Sequence, residues 1–207
     1  MRIFCIYILT IISVFFDFKL NAQSIDSIYL KGKEQFEIGN YVKALDYFNQ
    51  TIKLQKTYKT VNYIAGMAAY NLKNYSSAKK YFKQEIKNDP ENINAFLFKA
   101  KSKENNGKYK SALRDLKKAI KIDSLNVLVL LEKANVLFNQ KKYTKAIQSY
   151  LQVKRLSPKT EIVFYKLGFC KYYLNNTIEA CNYWSQLEDI DDFENYETII
   201  KTCKLTP

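Results

Sequence analysis

Histidine is absent from this 207-residue chain, and with it go the usual general base near neutral pH and the commonest metal ligand. No cluster of carboxylates or cysteines stands in for it, so the chain reads as a non-enzyme with no catalytic residues, no metal and no cofactor. An acidic stretch, Glu188, Asp189, Asp191, Asp192, Glu194 and Glu197, lacks the central glycine of a calcium-binding loop. Glycine and proline are scarce, at five and three residues. With so few breakers, helices are separated by short turns rather than by long loops. Long apolar runs are lacking too: the longest is Ile3–Phe16, short of the roughly 20 residues that span a bilayer.

What is present is a period. Ala44, Ala78, Ala112, Ala146 and Ala180 fall 34 residues apart, each within a similar polar and apolar pattern. Counted from 19 residues before each alanine, the repeats are Ile25–Tyr58, Lys59–Asn92, Ile93–Asn126, Val127–Thr160 and Glu161–Glu194. Gly32, Gly66 and Gly168 take position 8, Gly39 and Gly107 position 15, and Pro90 and Pro158 position 32. Each repeat holds two apolar-periodic runs separated by a polar turn, which is the pattern of a helical hairpin. Position 8 and the position-20 alanines are small because two helices cross there. A larger side chain at either place costs about 1 to 3 kcal/mol by overpacking.

These features resemble the tetratricopeptide repeat. Its unit carries a small residue early in its first helix (A), alanine in its second (B), an aromatic four residues later and a proline near the end. The later aromatic position holds Phe48, Phe82, Leu116, Tyr150 and Trp184; the turn tyrosine is Tyr41, Tyr75, Tyr109 and Tyr143, with Thr177 in the fifth repeat. Departures are Ile28, Asn62, Phe96, Leu130 and Phe164 at the early tryptophan position, and Lys56 and Ser124 where proline is usual. The resemblance covers about residues 25 to 190. It implies an all-α, right-handed α-solenoid of five helix-turn-helix repeats, closed by a C-terminal capping helix over residues 195–207 whose Ile199, Ile200, Cys203 and Leu205 cover the last apolar face.

The resemblance also implies where a ligand would sit, because A helices line the concave face of a tetratricopeptide superhelix. The groove residues are then Tyr29, Lys33, Tyr63, Met67, Asn71, Lys101, Asn105, Asn135, Asn139, Tyr165, Phe169 and Tyr173. Asn71, Asn105 and Asn139 form a row of amides, able to hold the backbone of an extended peptide while aromatic rings pocket its side chains. The plainer reading is that asparagine is common throughout and some of the rings are core. The family's carboxylate clamp is missing, since Tyr29 with Lys33, Ile64, and Asn94 with Phe98 occupy its positions.

The formal charge is +13. Part of the lysine excess matches the Lys, Asn, Ile and Tyr bias of an AT-rich genome, so the mean charge says little. Its distribution says more, because the B helices present Lys80, Lys83, Lys87, Lys110, Arg114, Lys117, Lys118 and Lys121. This convex stripe suits an anionic lipid, glycan or acidic protein, or is a solvated exterior, the reading we prefer. The acidic stretch near Glu188 pairing with a neighbour's stripe is a route to a homo-oligomer.

Met1 to Ala22 reads as a signal peptide, with an uncleaved membrane anchor as the alternative. The expectation is therefore an exported, periplasmic or outer-membrane-associated protein whose partners are proteins or peptides of an envelope complex, and not nucleic acid. Export permits a disulfide, Cys170–Cys181 or Cys181–Cys203. We prefer three small buried apolar cysteines.

Overall fold

The computed structural model describes residues 25–188 and 193–203. The expected signal segment Met1–Ala22, the acids Asp189, Asp191 and Asp192, and the end of the expected capping helix from Lys204 on lie outside the described residues. Two compact units divide the chain, Met1–Ser102 and Lys103–Pro207. The first contains α1 (25–37), α2 (Tyr41–Leu54), α3 (Val61–Asn71), α4 (Tyr75–Asn88) and most of α5 (Ile93–Asn105). To the second belong α6 (Tyr109–Ile122), α7 (Val127–Asn139), α8 (Tyr143–Leu156), α9 (Glu161–Tyr173), α10 (Thr177–Trp184) and α11 (Tyr196–Cys203). No strand occurs among the described residues.

Asparagine starts many of these helices. The side chains of Asn40, Asn74 and Asn176 accept from the amides of Lys43, Ser77 and Glu179 at 3.4, 3.1 and 3.2 Å, capping α2, α4 and α10. Asn92 and Asn126 cap α5 and α7 in the same way, through Ala95 and Val129 at 2.9 and 3.2 Å. Each such cap stabilises its helix by about 1 kcal/mol relative to alanine. These five asparagines, which composition assigned to genome bias, therefore have a local structural role.

Position 15 ends every A helix in the left-handed region. Gly39 and Gly107 have φ of 79° and 68°, and where glycine is missing Lys73, Lys141 and Asn175 adopt 57°, 59° and 60°. Lysine there brings its Cβ against the following carbonyl, at a cost of roughly 1 kcal/mol. Lys73→Gly and Lys141→Gly are each expected to stabilise the protein by about 1 kcal/mol, read as a higher urea midpoint with an unchanged slope.

Four of the hairpins close by pairing a small residue with a large ring. Phe48, Phe82, Leu116, Tyr150 and Trp184 are all fully buried, as are the alanines at position 20. A Cβ at Gly32 would lie 2.7 Å from Phe48, one at Gly66 2.6 Å from Phe82, and one at Gly168 2.2 Å from Trp184. Ala134 occupies the same place in the hairpin that carries Tyr150, and both belong to one apolar cluster with Leu130, Val153 and Leu167.

The C-terminal end departs from the expected period. The second helix of the fifth repeat stops at Trp184, while its counterparts run for 14 residues. Continuing it would place Glu188 and Asp189 at the negative end of the helix dipole. The chain turns instead, with Leu187 buried, and returns as α11, whose Ile199 is fully buried in one cluster with Trp184, Phe169 and Tyr165. The preference for three unpaired cysteines is corrected by the same return. Cys203 on α11 meets Cys181 on α10 in a disulfide, because the turn carries the tail back across its own helix. Only Cys170 behaves as a small buried apolar side chain; burial pushes its thiol up to about 12, which keeps it protonated and inert.

Candidate functional site

In the first unit the A-helix face carries a set of half-buried aromatic rings. Tyr63 on α3 and Phe98 on α5 lie 6.3 Å apart, Tyr70 is 5.7 Å from Phe98 and 5.3 Å from Tyr75, and Phe98 stacks on buried Phe82 at 6.0 Å. Met67 packs against the same cluster, and the ammonium of Lys101 sits 5.7 Å above the Phe98 ring. Asn71 is exposed at the end of α3 and Lys33 is half-buried on α1. Burial, with Glu85 as a lesser cause, holds the Tyr63 phenol above its usual range, so the ring is neutral at any physiological pH. The face offers apolar edges, neutral hydroxyl and amide groups, and two ammonium groups.

The second unit presents a smaller set. Tyr143 and Tyr173 stack at 5.0 Å with 22° between planes, Phe138 lies 5.6 Å from Tyr143, and 49% of Tyr173 is exposed. Asn105 and Asn139 are exposed, and the Asn139 amide donates to Glu104 at 2.8 Å. Asn135 accepts from the Tyr150 hydroxyl at 2.7 Å, which ties its carbonyl oxygen to the core. Desolvation raises the Tyr143 phenol, with a smaller push from Tyr173.

Three residues expected on these faces, Tyr29 in the first unit and Tyr165 and Phe169 in the second, are core instead. Tyr29 is 6% exposed and packs between Phe48 and Tyr58, with ring centroids 6.1 and 5.5 Å away. Tyr165 and Phe169 are each 5% exposed. Phe193 stacks on Tyr165 at 4.7 Å, the Tyr165 hydroxyl donates to the Glu194 carbonyl, and Phe169 meets Trp184 at 4.9 Å. A ring at either position is drawn into the seam between helices wherever a neighbouring aromatic or the returning tail can cover it.

Conversely, Phe98 and Tyr143 contribute to the faces and were not assigned to them. For Tyr143 the overlooked signal is a ring at position 12 followed by the turn tyrosine at 17; Phe98, at position 6, has no such signal. Phe36–Tyr41, Tyr70–Tyr75 and Phe138–Tyr143 all meet edge to face within 5.6 Å. The B helices place Lys80, Lys83 and Lys87 in the solvent in the first unit, and Lys110, Arg114, Lys117, Lys118 and Lys121 in the second. Among the described residues no group of three or more acidic or cysteine side chains is arranged to hold a metal, and no helix is long and apolar enough to cross a membrane.

Successive antiparallel helix pairs, joined by short turns and closed by small-against-large contacts, define an all-α helical-repeat protein. The tetratricopeptide repeat profile matches residues 29–93 and 99–160, more than half of the chain, and the chain belongs to that family. Solved structures agree in fold. The MamA protein superposes with a TM-score of 0.72 at 14% identity, over 87% of this chain and 92% of that one. MamA from Desulfovibrio magneticus RS-1 gives 0.73 at 18%, over 78% and 92%. YrrB, a tetratricopeptide protein with an unusual peptide-binding site, gives 0.70 at 18%, over 89% and 98%. Comparison with curated proteins finds no match.

Proposed function

We propose that the protein is a non-catalytic interaction scaffold of the cell envelope, whose A-helix faces bind an extended segment of a partner protein. The observation that carries this reading is the cluster of Tyr63, Tyr70 and Phe98, three large rings in mutual contact that are only half-buried. Rings of this kind, with amides at their edge, supply the anchors and backbone partners that peptide recognition uses. YrrB, described by its peptide-binding site, shares the fold, which supports the reading. Export rests on the N-terminal segment Met1–Ala22.

The test is capture from the native envelope on the immobilised full chain, washed with about 0.5 M salt, where charges on exposed lysines are screened beyond a few ångströms. A partner bound by the rings stays. The combined Tyr63→Ala, Asn71→Ala variant is expected to weaken it by about thirtyfold, the loss typical of one aromatic anchor. The alternative, a binder of anionic lipid or glycan through the exposed B-helix lysines, predicts release in that wash and no effect of the double variant.

A further inference from the structure

Position 23 of the repeat, on the B helix, faces the groove left between successive B helices. In the first unit Tyr81 fills that groove: it packs against the clusters of Ala65 and Ala69 and its hydroxyl donates to Asn49 on α2 at 2.6 Å. Near the C-terminus Tyr183 does the same against the cluster of Val163 and Leu167. In the third repeat the position is Asp115, buried and paired with Lys103 at 2.5 Å. The fourth repeat has Ser149, whose hydroxyl turns back to the Lys145 carbonyl at 3.2 Å. Among the described residues no side chain fills the groove between α6 and α8, and a pocket of about 440 Å³ remains.

Its apolar lining is Leu113, Ile120 and Leu137, and Lys117, Lys133 and Lys145 surround it. Lys117 takes the place that Asn49 has beside Tyr81. Where the second and fifth repeats have a ring, the fourth has Ser149 with three ammonium groups around the pocket, Lys117 from the third repeat and Lys133 and Lys145 from the fourth. Through Gln148 this pocket adjoins a second one, of about 560 Å³, lined by Leu151, Arg155 and Pro158. Two apolar depressions in series with basic edges make a trough rather than a single-molecule cavity.

We propose that this trough on the B-helix side of the second unit binds an acidic protein segment, which inserts an aromatic side chain beside Ser149 and a second apolar side chain beside Leu151. The ring at Tyr81 and Tyr183 shows what the groove accommodates, and the three ammonium groups fix the charge of what surrounds it. Carboxylates flanking the inserted ring meet Lys117, Lys133 and Lys145, which gives both orientation and rapid encounter. This surface is separate from the A-helix faces and stands whether or not they bind peptides.

The experiment titrates the full chain with a fluorescently labelled peptide, Glu-Asp-Phe-Glu-Asp-Leu-Glu-Asp, followed by anisotropy. Ser149→Tyr is expected to lower affinity at least about tenfold, since it supplies the ring from within, while leaving the thermal midpoint at or above that of the parent. Lys117→Glu combined with Lys145→Glu, both exposed and so without effect on folding, is expected to abolish binding. A peptide with serine in place of Phe and Leu should not bind. Absence of binding up to about 1 mM peptide overturns the proposal. Equal affinity in Ser149→Tyr does so as well, as does adsorption to phosphatidylglycerol vesicles without peptide binding, which assigns these lysines to a lipid surface.

Discussion

Gly168→Ala is expected to destabilise the protein by about 2 kcal/mol, although alanine is the better helix former. The helical gain is about 1 kcal/mol. Against it stands the steric term: the added Cβ would come within 2.2 Å of Trp184 Nε1 and 2.5 Å of two further ring atoms. The indole cannot step aside, because it is fully buried and its N–H donates to the Tyr165 carbonyl at 3.2 Å. Overpacking of this kind costs about 3 kcal/mol where the neighbour is held. Trp184→Leu alone leaves a cavity and costs about 3 kcal/mol. Combined, the two changes relieve each other, since the third repeat carries the same pair, Ala100 and Leu116, at these positions. The double variant is expected to be about 2 kcal/mol more stable than the sum of its parents, a coupling measured by urea denaturation of the four proteins. Additive losses would mean that the glycine is not there to make room for the ring.

Reduction of the Cys181–Cys203 disulfide is expected to cost about 3 kcal/mol, the entropy of closing a loop of this length, here a separation of 22 residues. Its local consequence is larger than the number suggests. The bridge fixes α11, whose Ile199 covers the apolar end formed by Trp184, Phe169 and Tyr165. In Cys203→Ser that end should open ahead of global unfolding, seen as faster amide exchange in α9 and α10 and as binding of an apolar dye. Exchange in the first unit should be unaltered. Buried Cys170 cannot substitute as a partner while its thiol is fully enclosed on α9. A reduced protein with native exchange throughout would show that packing alone holds the tail.

The helix pairs were legible in the sequence because they depend on contacts that recur with the period. Small residues at positions 8 and 20 and a large one at 24 must coincide in every unit, and five copies make the coincidence visible. The faces were only partly legible. Tyr63 and Tyr173 remain accessible, whereas Tyr29 is taken up by Tyr58 and Tyr165 by Phe193, each from the end of its own repeat. Those contacts are made once and leave no periodic trace. Cys181–Cys203 was one of the two pairings open in the sequence, but for the same reason nothing there singled it out, since it depends on where a non-repeating tail returns. Asparagine was misjudged in a different way: its abundance looked compositional until Asn40, Asn74, Asn92, Asn126 and Asn176 appeared at helix starts.

The most direct test of the binding account compares three full-length proteins against one peptide, selected from a random library on the parent chain. The second protein carries Tyr63→Ala, Asn71→Ala and Tyr173→Ala; the third carries Lys83→Glu, Lys87→Glu and Lys121→Glu, exposed B-helix lysines outside the trough. The account predicts that the ring and amide variant loses about 2 kcal/mol or more of binding free energy, while the charge-reversed protein keeps its affinity and the parent's binding changes little between low salt and about 0.5 M. Full affinity in the ring variant, with loss in the charge-reversed one and steep salt dependence, would place recognition on the B-helix lysines and contradict it.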